Sequence, residues 1–156
     1  MIVFLDSGVL GILCSSENTL TVSRCQEWFY QLLARGIYVT SSYLCDYEVR
    51  RSLQLNQFKN PIATESLENL DEMLSLIEFL PVTPNVLNLS SYLWAEIRYQ
   101  GRPTAAVKNI DIDVIIGASC QLLQQEYPGQ RLVVATTNVK HLSRFIEAKT
   151  WSEIIV

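Results

Sequence analysis

Asp6 follows directly on the apolar run IVFL at residues 2–5. A short, continuously apolar run suits a central strand of a parallel sheet, buried on both faces. Ligands of such sheets bind beyond the carboxyl ends of the strands. A carboxylate there is placed for a metal or a substrate, and it can equally cap the following turn through its own side chain. Asp111 and Asp113 open the segment DIDVIIGAS. Acids favour a first helical turn, and one of them would suffice to cap it; two, with one turned inward, point to a further use. Gly117, Ala118 and Ser119 let that helix approach the sheet closely, which brings its first turn toward the end of the Asp6 strand. Glu48 lies mid-helix in LCDYEVRRSL, on a face roughly shared with Leu44 and Leu55. A carboxylate on a partly apolar face needs a partner: Arg50 or Arg51, or a metal ion shared with Asp6. Asn138 leaves a later apolar strand in ATTNVKHL, where it serves as a turn residue or holds a metal-bound water, as do the hydroxyls of Thr136 and Thr137.

Donors of this kind, carboxylate, amide and water oxygens, suit Mg²⁺ or Mn²⁺ rather than zinc. Such ions activate water and offset charge on phosphoryl oxygens. Arg50, Arg51, Arg102, Lys108 and Lys140 are candidates for holding a phosphate backbone, a contact that positions without reading bases; Arg50 and Arg51 can instead pair with Glu48 or Asp46. The only histidine, His141, reads as a capping or core-edge residue, or as a phosphate contact or general acid. No Walker A loop is present and no GxGxxG follows the first strand, which disfavours ATP or NAD. No G-x-S-x-G elbow supports a serine hydrolase.

The elements that must position these groups read as follows. A strand at 2–5 is followed by a helix over about 21–35, with Gly36 as its cap. A strand at 37–40 leads through Ser41 or Ser42 as an N-cap into a helix ending near Phe58. Beyond Pro61 comes a helix over about 64–76, then a strand at 77–80 closed by Pro81. A helix at 85–100 precedes a loop from Gly101 to Ile110, a helix from Asp111 ends before Pro128, and a strand lies at 131–135. A brief fifth strand is expected at 146–148, and the tail 151–156 packs as an edge or covers the core. Strands alternating with helices predict a three-layer α/β domain with a mainly parallel sheet, one domain over residues 1–156.

Composition bounds the partners. Of 156 residues, 49% are hydrophobic, enough for a sizeable core, and 12 Lys and Arg stand against 16 Asp and Glu, a net charge of −4. A strongly basic nucleic-acid-coating protein is thereby excluded, while a local catalytic contact is not. The four cysteines, Cys14, Cys25, Cys45 and Cys120, have neither CxxC nor zinc-ligand spacing and are expected as buried free thiols. The N-terminal run has no basic n-region, is interrupted by Asp6 and falls short of a membrane span. A soluble, cytoplasmic protein is expected, with no membrane partner. The aromatic set Trp28, Phe29, Tyr30, Tyr43 and Tyr47 is expected to serve core or dimer packing.

In the order of these motifs the chain resembles the PIN-domain ribonucleases, and within them the toxin-like proteins of the VapC type. The resemblance runs from FLDSGVLG to TTNVKHLSRF. Asp6 matches the Asp after the first strand, Glu48 in YEVRR the helical Glu, Asp113 in DVIIGAS the Asp before an I-A-A-like helix, Asp111 an accessory acid, and Asn138 the polar residue of a T-x-N-type segment. Where many members carry an Asp at that last strand end, this chain has Asn138 and, three residues on, His141. The GRPTA and TNVKHLSRF segments look like a bacterial, particularly cyanobacterial, subgroup. The resemblance implies Mg²⁺- or Mn²⁺-dependent cleavage of RNA, a homodimer, and inhibition by a small antitoxin. A catalytically weakened module on the same fold, binding nucleic acid or protein, and a flap-type DNA nuclease are the rival readings.

Overall fold

The computed structural model describes residues 1–101 and 110–155. The loop expected between Gly101 and Ile110, with Arg102 and Lys108, falls on residues 102–109, outside those described. The elements run β1 (Ile2–Leu5), α1 (Ser7–Cys14), α2 (Leu20–Ala34), β2 (Tyr38–Ser42), α3 (Tyr43–Lys59), α4 (Glu65–Leu76), β3 (Glu78–Leu80), α5 (Pro84–Tyr99), α6 (Ile110–Glu126), β4 (Leu132–Ala135), α7 (Val139–Leu142) and β5 (Ala148–Lys149), ending in a 3-10 turn at Trp151–Glu153.

The five strands form one sheet in the order β3-β2-β1-β4-β5, and every pairing is parallel. Connections from β1 to β2 to β3 run outward in one direction, and the return from β3 to β4 reverses it. Because parallel crossovers are right-handed, that reversal sends α5 and α6 to the face opposite α1–α4. The architecture is α/β/α. The reversal also makes the gap between the carboxyl ends of β1 and β4 the topological switch point, where open α/β sheets bind ligands.

β1 and β4 are buried throughout, as their unbroken apolar runs require. The core joins them to Val9, Leu10 and Leu13 of α1, Phe29 and Leu32 of α2, and Ile116, Cys120 and Leu123 of α6. All four cysteines are buried and free. Burial pushes the thiols of Cys14, Cys25 and Cys45 up to about 12, so they are packing groups, not nucleophiles. Trp28 and Phe29 are buried while Tyr30, Tyr43 and Tyr47 stay exposed. The tail covers the core: Ile154 is buried, and its carbonyl accepts a hydrogen bond from the Trp28 indole at 3.2 Å.

Four local features differ from the sequence reading. Residues 7–14 and residues 139–142, to which it assigns no element, form α1 and α7. β2 extends through Ser41 and Ser42, which pair with Phe79 and Leu80, and Ser42 also caps α3 by accepting from the Cys45 N–H at 3.2 Å. The fifth strand lies at 148–149 rather than 146–148. Among the described residues, no helix is long and apolar enough to cross a membrane.

Candidate active site

Asp6 stands where β1 becomes α1. Its backbone N–H donates to the Ala135 carbonyl at 3.0 Å, continuing the β1–β4 ladder. Its carboxylate accepts from the Ser7 backbone N–H at 2.7 Å and from the Thr136 hydroxyl at 2.6 Å. Thr136 is itself fully buried, and its Oγ1 accepts from the Asn138 N–H at 2.9 Å. Asp6 therefore does cap its turn, as one reading of the sequence allowed, and its second oxygen is held from across the switch point. Gly8 makes this approach possible: a Cβ there would lie 2.3 Å from Thr137 Oγ1.

Glu48 reaches the same rim from α3. The Arg51 guanidinium lies 3.5 Å from its carboxylate, and the Ser7 hydroxyl stands between it and Asp6, 3.4 Å from Asp6 Oδ1. Asp113 arrives from the first turn of α6, with the His141 ring nitrogen Nδ1 3.1 Å from its Oδ2. All three carboxyls are shifted upward, first because burial disfavours their charge. Bonds from Thr136 and Ser7 partly offset the shift for Asp6. Glu48 is raised further by the charges of Asp6 and Asp113, with Ser7 and Arg51 opposing. Asp113 is raised further by Asp6, with His141 and Arg144 opposing. Three acids on three elements thus feel one another's field, an arrangement that a bound cation relieves.

Among the described residues, no three or more Asp, Glu, His or Cys side chains stand close enough to hold an ion in their present rotamers. The donor set fits a hard divalent cation in chemistry and charge, but each carboxylate is turned to an internal partner. The cluster is an open rim rather than a pocket. A cavity of about 620 Å³ lies elsewhere, between Glu78, Pro81, Asn85, Ser119 and Glu126, and contains none of these residues.

The remaining candidates separate. Asp111 is exposed and lines a groove with Leu87, Ser90 and Trp94 of α5, so it is not drawn into the group of three. Asn138 is half-buried and precedes α7, with no capping bond from its side chain. Lys140 is exposed on α7. Arg50 is engaged by Asp46 at 2.8 Å and by Asp71 of α4 at 2.9 Å, while its neighbour Arg51 takes Glu48. The small residues of α6 are expected to bring it against the sheet, but at Gly117 the close neighbour is Phe145, outside the strands: a Cβ there would meet that side chain at 2.6 to 2.9 Å. Sequence reasoning overlooked Ser7, whose only signal is adjacency to Asp6. It weighed Thr136 as a water ligand rather than as the donor to Asp6.

No family model matches this sequence, and neither does any curated protein. Solved structures do match its fold. FitAcB from Neisseria gonorrhoeae matches with a TM-score of 0.67 and 20% identity, covering 97% of this chain and 99% of that one. VapBC-1 from nontypeable Haemophilus influenzae gives 0.66 and 16%, covering 98% and 100%. VapBC2 from Rickettsia felis, bound to a DNA fragment from its promoter, gives 0.65 and 18%, covering 97% and 99%. The chain has a PIN-like three-layer α/β/α fold. The resemblance to VapC-type proteins read from the sequence is met at the level of fold.

Proposed function

We propose that the protein, acting as a single domain over residues 1–156, is an Mg²⁺- or Mn²⁺-dependent endoribonuclease and the toxin of a cytoplasmic toxin–antitoxin pair. The observation that supports this reading is the approach of Asp6, Glu48 and Asp113, from three separate elements, at the switch point of a parallel sheet. The solved structures sharing the fold are named as VapBC and FitAcB assemblies, which supports a small protein partner here.

Asp6, Glu48 and Asp113 would hold the divalent ion, with Asp111 as an accessory charge. Once bound, the ion would lower the pKa of a water and offset charge on the phosphoryl oxygens. Thr136 and Ser7 keep Asp6 oriented and partly offset the rise in its pKa that burial causes. The Asn138 amide orients a water or a phosphate oxygen. Arg51 and Lys140, together with Arg102 and Lys108, hold the RNA backbone; Arg50 joins them only by giving up Asp46 and Asp71. A homodimer sets two such sites in one groove.

The test is cleavage of single-stranded and structured RNA with Mg²⁺, with Mn²⁺ and with chelator, for the wild type and for Asp6→Asn and Asp113→Asn. Cleavage that needs the ion and is lost in both variants is expected; equal activity in all three proteins would sink the assignment. A second reading, a weakened module that binds nucleic acid or protein, draws on the lack of a preassembled ligand group among the described residues and on the neutral Asn138. Failure to bind Mn²⁺ in a titration would favour it.

A further inference from the structure

We infer that the exposed ring of Tyr47 is a stacking subsite for an unpaired base of the RNA strand, set beside Glu48 at the edge of the candidate site. This rests on the nuclease reading and deepens it, by naming the part of the substrate that the α3 side of the rim holds.

The placement follows from where α3 begins. β2 ends at Ser42 and α3 starts at Tyr43, so the first turns of the helix stand at the carboxyl rim of the sheet. Tyr43, Tyr47 and Arg51 recur at one-turn intervals and share a face. The Arg51 guanidinium lies 3.5 Å from the Glu48 carboxylate and 5.3 Å from the centre of the Tyr47 ring, within the range of a cation–π contact. One guanidinium thus joins the acid to the ring. A strand that brings a phosphate to the acids carries its neighbouring base into reach of Tyr47.

Packing does not account for this ring. Tyr47 is 56% exposed and belongs to neither apolar core. Tyr43, one turn earlier, tilts against Phe79 of β3 with 6.0 Å between ring centres. On the other side of the rim Phe145 is packed against Gly117, and the groups beside Asp113 are His141 and Arg144. The α7 side therefore offers charge and hydrogen bonds, and the α3 side offers an aromatic face.

The chemistry follows from what a nucleotide presents. Every base has a π face, so stacking on an aromatic side chain tolerates any sequence. In a duplex those faces are covered by neighbouring bases, so the ring takes unpaired nucleotides. Arg51 adds cation–π attraction to a stacked base and keeps N–H groups for the adjoining phosphate. The net charge of −4 weakens general attraction to phosphates, which leaves stacking a larger share of the affinity.

Fluorescence anisotropy in chelator at low salt, on the wild type, Tyr47→Ala and Tyr47→Phe, tests this. Three probes about 12 nucleotides long are compared: an unstructured RNA strand of adenines and cytosines, the same strand annealed to its complement, and a base-free ribose-phosphate strand. Tyr47→Ala is expected to weaken binding of the single strand by about tenfold, and Tyr47→Phe by no more than about twofold. Neither variant is expected to change the affinity for the duplex or the base-free strand. A single strand bound equally by the wild type and Tyr47→Ala, or a loss shared by the base-free strand, overturns the inference and leaves the nuclease reading to the cleavage test with Asp6→Asn. A Tyr47→Ala protein that keeps its affinity for the strand but loses self-association in sedimentation gives the ring to a second copy of the chain, and overturns it too. A wild type that binds no strand and cleaves none with either ion overturns both readings.

Discussion

The hydroxyl of Thr136 donates to Asp6 Oδ2 across 2.6 Å, joining residues 130 positions apart in the chain. That bond spans the switch point between β1 and β4 and fixes the orientation of the candidate site's most buried acid. Thr136→Val keeps the shape and removes the donor, leaving an Asp6 oxygen and the Asn138 N–H without their partner. A buried group deprived of its bond costs about 1–3 kcal/mol. A drop in the urea midpoint is expected for Thr136→Val and a much smaller one for Thr136→Ser.

Gly117→Ala places a methyl within 2.6 to 2.9 Å of Phe145 side-chain atoms, one of them its Cβ. The clash lies close to the backbone, so rotating the ring does not remove it. Overpacking of this kind costs about 1–3 kcal/mol. Lower stability by thermal melting is expected for Gly117→Ala, with coupling to Phe145→Ala in a double-mutant cycle because the smaller side chain relieves the contact.

The carboxyls of Asp6, Glu48 and Asp113 are raised in the folded protein, chiefly by burial. For an acid with a raised folded pKa, the unfolded chain gives up its proton first as pH rises. Stability is therefore fully present below the unfolded value and is lost as pH climbs through the folded one. Glu147 and Glu153 are lowered by Arg131 and Thr150 respectively and act in the opposite sense as pH falls. The difference between wild type and Asp6→Asn isolates the Asp6 contribution. In cation-free buffer the wild type is expected to lose stability relative to Asp6→Asn as pH rises above the ordinary carboxylate range, by denaturant titration at each pH. A flat difference would contradict the shift. Added divalent ion is expected to restore wild-type stability at neutral pH and to do little for the variant.

Arg50 bridges Asp46 and Asp71, whereas Lys140 stands exposed near the rim. Arg50→Ala is expected to cost about 0–1 kcal/mol of stability, as partly exposed pairs do, and to leave RNA affinity unchanged. Lys140→Ala is expected to leave stability alone and to reduce the salt slope of RNA binding by about one. Fluorescence anisotropy over a range of salt concentrations on the cation-free protein checks both.

The sheet was legible in the sequence because its central strands are buried on both faces. IVFL and LVVA announce β1 and β4 by continuous apolar runs, and Asp6 is marked by standing at the end of one. The long helices were legible through their apolar period. α1 was not, because Asp6-Ser7-Gly8 reads as the end of the first strand; Gly8 is there for a close approach to Thr137 that lies far along the chain. α7 was not, because four residues are too few to display a period.

Local pattern thus determined the element types, the parallel α/β order and the short list of acids. Which acids meet was decided only by tertiary packing. Asp111 and Asp113 sit on the same helical turn, yet one lines the α5–α6 groove and the other faces His141. Arg50 and Arg51 are adjacent, yet α4 claims the first through Asp71 and Glu48 the second. The reason is geometric: residue spacing sets the face of a helix on which a side chain lies, but topology and close approaches such as Gly117 against Phe145 set what that face touches.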